Sequence, residues 1–251
     1  MFSDRLFRAL LSVLFLSACS VKENRDACPC TLILGISDLP VSPVVVEVVG
    51  EKGTYTQIVH ADTVLVLSVP KGEWTVSAVG GALAEPGGGV KIPPGEEAVP
   101  LYLFHAVVPA TGEQIMLPVL LRKQFCALEL VFSGPPGYGP PFEVEVEGNV
   151  GGWNRDGSPA EGSFSRRILP GSDGHASLRL PRQGDDSLLM HVVFSDRVVR
   201  TFALGSYIAA AGYDWTAPDL ADLTLHIDIS VTSVTISTDL WTMSEDTELF
   251  I

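Results

Sequence analysis

The chain has 251 residues, 46% of them hydrophobic and 18% charged, and carries a formal net charge of −14. That length buries one large core or two smaller ones, and the hydrophobic share excludes a disordered chain. The excess of acid, with no basic cluster longer than Arg166-Arg167, excludes a partner held through its phosphate backbone, so no nucleic acid is expected.

The first residues read as a secretory signal. Arg5 and Arg8 form a charged start, Ala9 to Ser17 an apolar stretch, and Leu16-Ser17-Ala18-Cys19 follows directly. Leu-small-small-Cys is the lipobox, whose cysteine is diacylated and becomes the mature N-terminus. The competing reading is a short signal peptide with an incidental cysteine. The apolar stretch is too short to cross a hydrocarbon core of roughly 30 Å, and no later run of about twenty apolar residues exists. Residues 1–18 are therefore expected to be removed, with Cys19 lipidated and the protein held at a membrane by several acyl chains. Residues 19–30 form a polar tether without hydrophobic period.

Cys28-Pro29-Cys30 closes the tether, and Cys126 is the third cysteine left once Cys19 carries lipid. Three readings stand. Cys30 pairs with Cys126 if the first strand lies beside the strand holding Cys126, which an envelope location permits. The thiols are otherwise buried and free. A zinc site is the third reading, but it lacks a CxxC or histidine-rich partner to supply four ligands.

From Thr31 onward, apolar and β-branched runs of about five to eight residues alternate with Gly, Pro, Asp or Ser. The first series of strands is predicted at residues 31–36, 44–49, 55–60, 63–69, 73–79, 98–104 and 114–120. A second follows at 125–132, 142–146, 162–168, 176–180, 188–194, 198–203, 224–229 and 231–237. Phe142-Glu143-Val144-Glu145-Val146-Glu147 and Leu225-His226-Ile227-Asp228-Ile229 alternate most clearly, as half-buried strands do. One short helix is predicted at Leu204 to Ala211, ended by Gly212. Two runs of about seven strands without long helices predict an all-β chain of two antiparallel sandwiches. Pro109-Ala110-Thr111-Gly112 sets the boundary, giving domains 31–112 and 113–251. No period of 20 to 50 residues recurs, which excludes a solenoid or propeller.

The residues offer little chemistry. His60, His105, His175, His191 and His226 are dispersed, and no nucleophile elbow, Walker loop or zinc-protease motif occurs. Gly87-Gly88-Gly89 and Gly151-Gly152 lack the lysine or following helix of a phosphate loop and read as loop tips. His226 and Asp228 share a strand face and read as a solvent-facing pair. Asn154-Arg155-Asp156-Gly157-Ser158 with Glu161 is a fragment of an oxygen-rich calcium loop, better read as an Asp-Gly turn. No enzyme activity, cofactor or metal is expected. Tyr213 and Trp215 are read as core packing at a corner, with sugar stacking as the rival.

Two segments carry a family resemblance: Cys19 through Cys30, with its lipobox and Cys-Pro-Cys, and Gly212-Tyr213-Asp214-Trp215-Thr216-Ala217-Pro218-Asp219-Leu220-Ala221-Asp222-Leu223-Thr224, followed by the strand with Ile227-Asp228. In this order the chain resembles, over essentially its whole length, the anchor subunits of type V pili, the fimbrillin-associated minor-fimbria anchor lipoproteins of anaerobic Gram-negative bacteria. The resemblance implies two transthyretin-like β-sandwich domains and a palmitate-type lipid anchor on Cys19 in the outer membrane, exposed at the cell surface. It also implies attachment of a fimbrial shaft subunit by β-strand addition, control of fimbrial length, and no catalysis. Stalk subunits of that class lose their leader by arginine-specific cleavage. Here no arginine lies between Arg25 and Arg122, so such cleavage removes no strand. A surface glycan-binding lipoprotein and a fimbrial tip adhesin are the alternatives.

Overall fold

The computed structural model describes residues 28–81, 89–134, 141–194, 199–229 and 233–238. Cys19, the signal segment and most of the tether lie outside the described residues, as do Gly87 and Gly88.

In the first sandwich, β1 (Cys30–Ile36) lies between β4 (Thr63–Val69) and β8 (Gln114–Val119). It runs antiparallel to β4 and parallel to β8. The facing sheet has the order β3-β2-β5-β7-β9 and is antiparallel throughout. Its strands are β2 (Val44–Gly50), β3 (Gly53–Val59), β5 (Gly72–Gly80), β7 (Tyr102–Ala110) and β9 (Arg122–Lys123). Alternation decides which face is buried. Cys30, Leu32, Leu34 and Ile36 point inward, and Thr31, Ile33 and Gly35 point outward. The inward set packs on Val44, Val46, Val48, Val76 and Trp74, and the Trp74 indole donates to the Pro70 carbonyl at 2.8 Å.

The second sandwich repeats this topology. β10 (Phe125–Ser133) lies between antiparallel β13 (His175–Pro181) and parallel β16 (Leu223–Asp228). Facing them, in the order β12-β11-β14-β15, are β12 (Pro159–Ile168), β11 (Glu143–Trp153), β14 (Leu189–Val193) and β15 (Val199–Phe202). Thus β1, β4 and β8 correspond to β10, β13 and β16, and β3-β2-β5-β7 to β12-β11-β14-β15. β17 (Ser233–Thr238), antiparallel to β16, is an addition. Helix α1 (Leu204–Ala210) sets Leu204, Tyr207 and Ile208 into the second core, and Gly212 at φ 76° ends it.

The expected all-β architecture of largely antiparallel sheets is observed, with two parallel pairs, β1–β8 and β10–β16, within it. Two expectations are corrected. The boundary does not fall at residue 112, since β8 pairs with β1 over Thr31–Ile36 and β9 pairs with β7. The turn at Thr111 and Gly112 instead carries the chain from one sheet of the first sandwich to the other. Finally, the strand expected at 98–104 begins only at Tyr102. Before it, β6 (Val90–Lys91) pairs with β11, and Val90, Ile92, Ala98 and Leu101 pack into the second core.

Gly151-Gly152 is not a loop tip either. It lies within β11, where β6 crosses so closely that a Cβ on Gly152 would meet the Val90 carbonyl oxygen at 2.1 Å. Gly152→Ala is expected to destabilise the protein by about 2 kcal/mol, measured by urea denaturation. A variant as stable as the parent would contradict this close approach.

Candidate partner-docking surface

The cysteines do not meet. Cys30 lies in the first core and Cys126 in the second, and both are free thiols, so the Cys30–Cys126 pairing, one of the three readings, is not made. Cys28 is exposed. Burial pushes the Cys126 thiol from its ordinary 9.0 up to about 12. Among the described residues no group of three or more His, Cys, Asp or Glu could hold a metal ion, and no helix is long and apolar enough to cross a membrane.

The other sequence features resolve into structure. Tyr213 and Trp215 stack edge to face with centroids 4.7 Å apart and pack against the second core. The Tyr213 hydroxyl donates to the Ala221 carbonyl at 2.6 Å. Residues 154–158 form a tight turn in which Asp156 accepts from both the N–H and the hydroxyl of Ser158. These bonds, the hydroxyl first, hold the Asp156 carboxyl below its usual range. His226 is exposed on the outer face of β16.

The joint between the sandwiches combines apolar packing, with Val79 and Leu103 in the second core and Tyr102 edge-on to Phe125, with polar groups. Arg122 bridges to Asp219 at 2.9 Å and Lys123 to Asp222 at 2.5 Å. Arg155 reaches Glu47 of β2 at 3.3 Å. Arg182 is buried; it donates to the Gln124 side chain at 3.0 Å and to the carbonyls of Trp215 and Pro218. Burial lowers its pKa, against the opposing pull of nearby Tyr213, Asp214 and Asp219, while its hydrogen bonds go to neutral acceptors.

The outer face of β4-β1-β8 is different in kind. Register sets two rows across it, Val66–Ile33–Met116 and Val64–Gly35–Pro118. Neither row contains a charge, yet Val64, Val66 and Met116 are 61%, 63% and 73% exposed. A cleft of about 580 Å³ lies over Val64, Ile33 and Met116, with Asp62 at one end, and has a notch at Gly35, where a Cβ would meet nothing within 4 Å. The corresponding face of the second sandwich carries Ser177–Glu129–Thr224 and His175–Val131–His226, with Arg179 opposite Ala127. The two faces share one topology, but only the first is apolar, and contiguous exposed apolar surface marks interaction sites. Of these strands, alternation in the sequence marked the buried face of β16. The exposed apolar residues escaped notice because Val64, Val66 and Met116 look in sequence like further core residues.

No protein-family model and no curated protein sequence matches the chain. Solved structures do share its fold. A Bacteroides thetaiotaomicron structure, described as a candidate polysaccharide-binding protein, matches at TM-score 0.64 and 13% identity, covering 87% of this chain and 100% of the other. The fimbrial anchor protein Mfa2 of Porphyromonas gingivalis matches at TM-score 0.55 and 14% identity, over 85% and 98%. A candidate adhesin of B. thetaiotaomicron matches at 0.56 and 15%, over 84% and 96%. These likenesses establish a shared all-β fold.

The placement of the thiols is open to a direct check. At pH 9 iodoacetamide should label Cys28 alone in the folded protein, and all three thiols after unfolding without reductant. Because Cys126 stays protonated in the folded state up to about 12, its contribution to stability is intact below pH 9 and is lost as pH rises above it. A pair that reacts only after reduction would contradict the separation of the two cores.

Proposed function

We propose that this chain is a non-catalytic lipoprotein of the cell surface that holds the end of a fimbrial shaft at the outer membrane and stops its growth. One observation carries the reading. β1 starts directly after the short tether from Cys19 and occupies a central slot, paired along its length on both sides. A subunit that receives a neighbour's strand has to offer an open place in a sheet; a subunit whose own first strand fills that place ends the series. The absence of arginine between Arg25 and Arg122 keeps β1 in the chain, and lipid on Cys19 would fix the closed end to the membrane. The fold shared with a fimbrial anchor protein and with a candidate adhesin supports a place on fimbriae.

The glycan-binding alternative loses its best residues. Tyr213 and Trp215 pack on each other and, partly buried, on the core, and Trp74 and Trp153 are buried, so these rings are engaged in packing.

Deletion of the gene in its host, followed by electron microscopy and blotting of the medium, should give long fimbriae that are shed. Cys19→Ala should release the protein itself from the outer membrane. Normal attached fimbriae in the deletion strain would overturn the reading.

A further inference from the structure

The two sandwiches repeat one topology, so each serves as a control for the other's edges. The Thr31 N–H donates to the Glu113 carbonyl at 2.8 Å. Main-chain groups alternate in direction along a strand. The odd-numbered residues of β1 therefore turn to β8 and the even-numbered ones to β4. The register pairs Leu32 with Leu67 and Leu34 with Leu65. The main chain of Val64, Val66 and Ser68 accordingly points away from the sheet. Among the described residues, one bond reaches this edge: the Tyr55 hydroxyl donates to the Ser68 carbonyl at 3.3 Å.

The corresponding edge, on β13, is covered. His175 donates its N–H to Asp173 at 3.1 Å and accepts from the Gly171 N–H at 2.8 Å. Arg179 donates its N–H to Glu97 at 2.9 Å and accepts from the Ala98 N–H at 3.0 Å. Composition differs in the same sense: β13 carries His175, Arg179 and Pro181, whereas Thr63–Val69 contains no charge and no proline. Natural sheets blunt their free edges with charge, proline or a covering segment; β4 carries no charge and no proline, and among the described residues no backbone segment covers it. At the opposite edge of its sheet, β8 is blunted by Pro118, whose nitrogen lies on the outward side and has no proton to give. Beside β4, a cleft of about 290 Å³ opens toward the facing sheet, lined by Val46, Val48, Tyr55, Leu65 and Leu67.

We propose that the outer edge of β4 receives an extended, uncharged segment of a fimbrial shaft subunit, added to the sheet as a fourth strand. The N–H and C=O of Val64 and Val66 form its ladder. One side of the incoming strand continues the apolar face at Val64 and Val66, and the other lies over the cleft at Leu65 and Leu67. This inference rests on the reading of the chain as a fimbrial subunit and extends it. With β1 filling the central slot, attachment needs a different edge; β3 also ends its sheet without charge or proline, but β4 borders the apolar face at Val64 and Val66.

The test uses the mature lipidated chain in detergent and fimbriae purified from the deletion strain, with binding read by co-sedimentation. Val66→Pro removes only an outward N–H, as Pro118 does natively on β8, and Val66→Lys places a charge on the edge. Each should weaken binding at least about tenfold, while Gln114→Lys on the β8 edge should leave it unchanged. If both Val66 variants keep the parent's circular dichroism and bind as it does, the β4 edge is not the dock and the anchoring reading survives. If the parent chain itself fails to bind fimbriae, both fall. If the parent self-associates and the variants are monomeric, the edge joins two copies of this chain and the inference is overturned.

Discussion

The first sandwich depends on the central position of β1. β4 and β8 do not pair with one another; each is joined only to β1, one antiparallel and one parallel. The inward residues Cys30, Leu32, Leu34 and Ile36 are almost wholly buried and form the floor beneath Trp74 and the valines of β2. Burial of each large aliphatic side chain contributes about 1.5–3 kcal/mol. Removing β1 would take that contribution away and leave two disconnected strands over an open core. A segment so deeply built in is part of the folded subunit and not a disposable leader, which is why its nearness to Cys19 carries functional weight.

The second constraint is the chain's use of one topology twice with different finishing. The excursion through β6 to Leu101 leaves the first sandwich and packs on the second, where Glu97 and Ala98 close the β13 edge. The β3–β4 side of the first sandwich receives no such cover among the described residues. Charges follow the same division: the face of β10, β13 and β16 carries Glu129, His175 and Arg179, while the face of β1, β4 and β8 carries Val64, Val66, Ile33 and Met116. The second sandwich presents a charged face and a covered edge, and the first an apolar face and an edge left uncovered among the described residues.

Much of the fold is legible in the sequence because strand alternation is a local signal. The inward residues of β16 and of the start of β11 can be marked from the apolar period alone, and α1 stands out because Gly212 ends it. Pairing partners are a nonlocal property, so the parallel pairs of β1 with β8 and β10 with β16 are not encoded in any one segment. For the same reason, Pro109 to Gly112 looks like a domain break, although it turns the chain between two sheets of one sandwich. Gly151-Gly152 looks like a loop because close approach of β6 is visible only once the backbone is folded. The structural repeat leaves no sequence period, since topology constrains hydrophobic pattern and not residue identity. The candidate site is the least legible part: an exposed valine and a buried one are the same letter, and only the register reveals that Val64 and Val66 face outward.

The central claim is that β1 stays in place behind a lipid-bearing Cys19. Its most direct test is the intact mass and N-terminal peptide of the protein recovered from the outer membranes of its host. The account predicts a chain that begins at an acylated Cys19 and continues unbroken through Cys30–Ile36. A mature chain that begins at Asp26, or one that has lost β1, would contradict it.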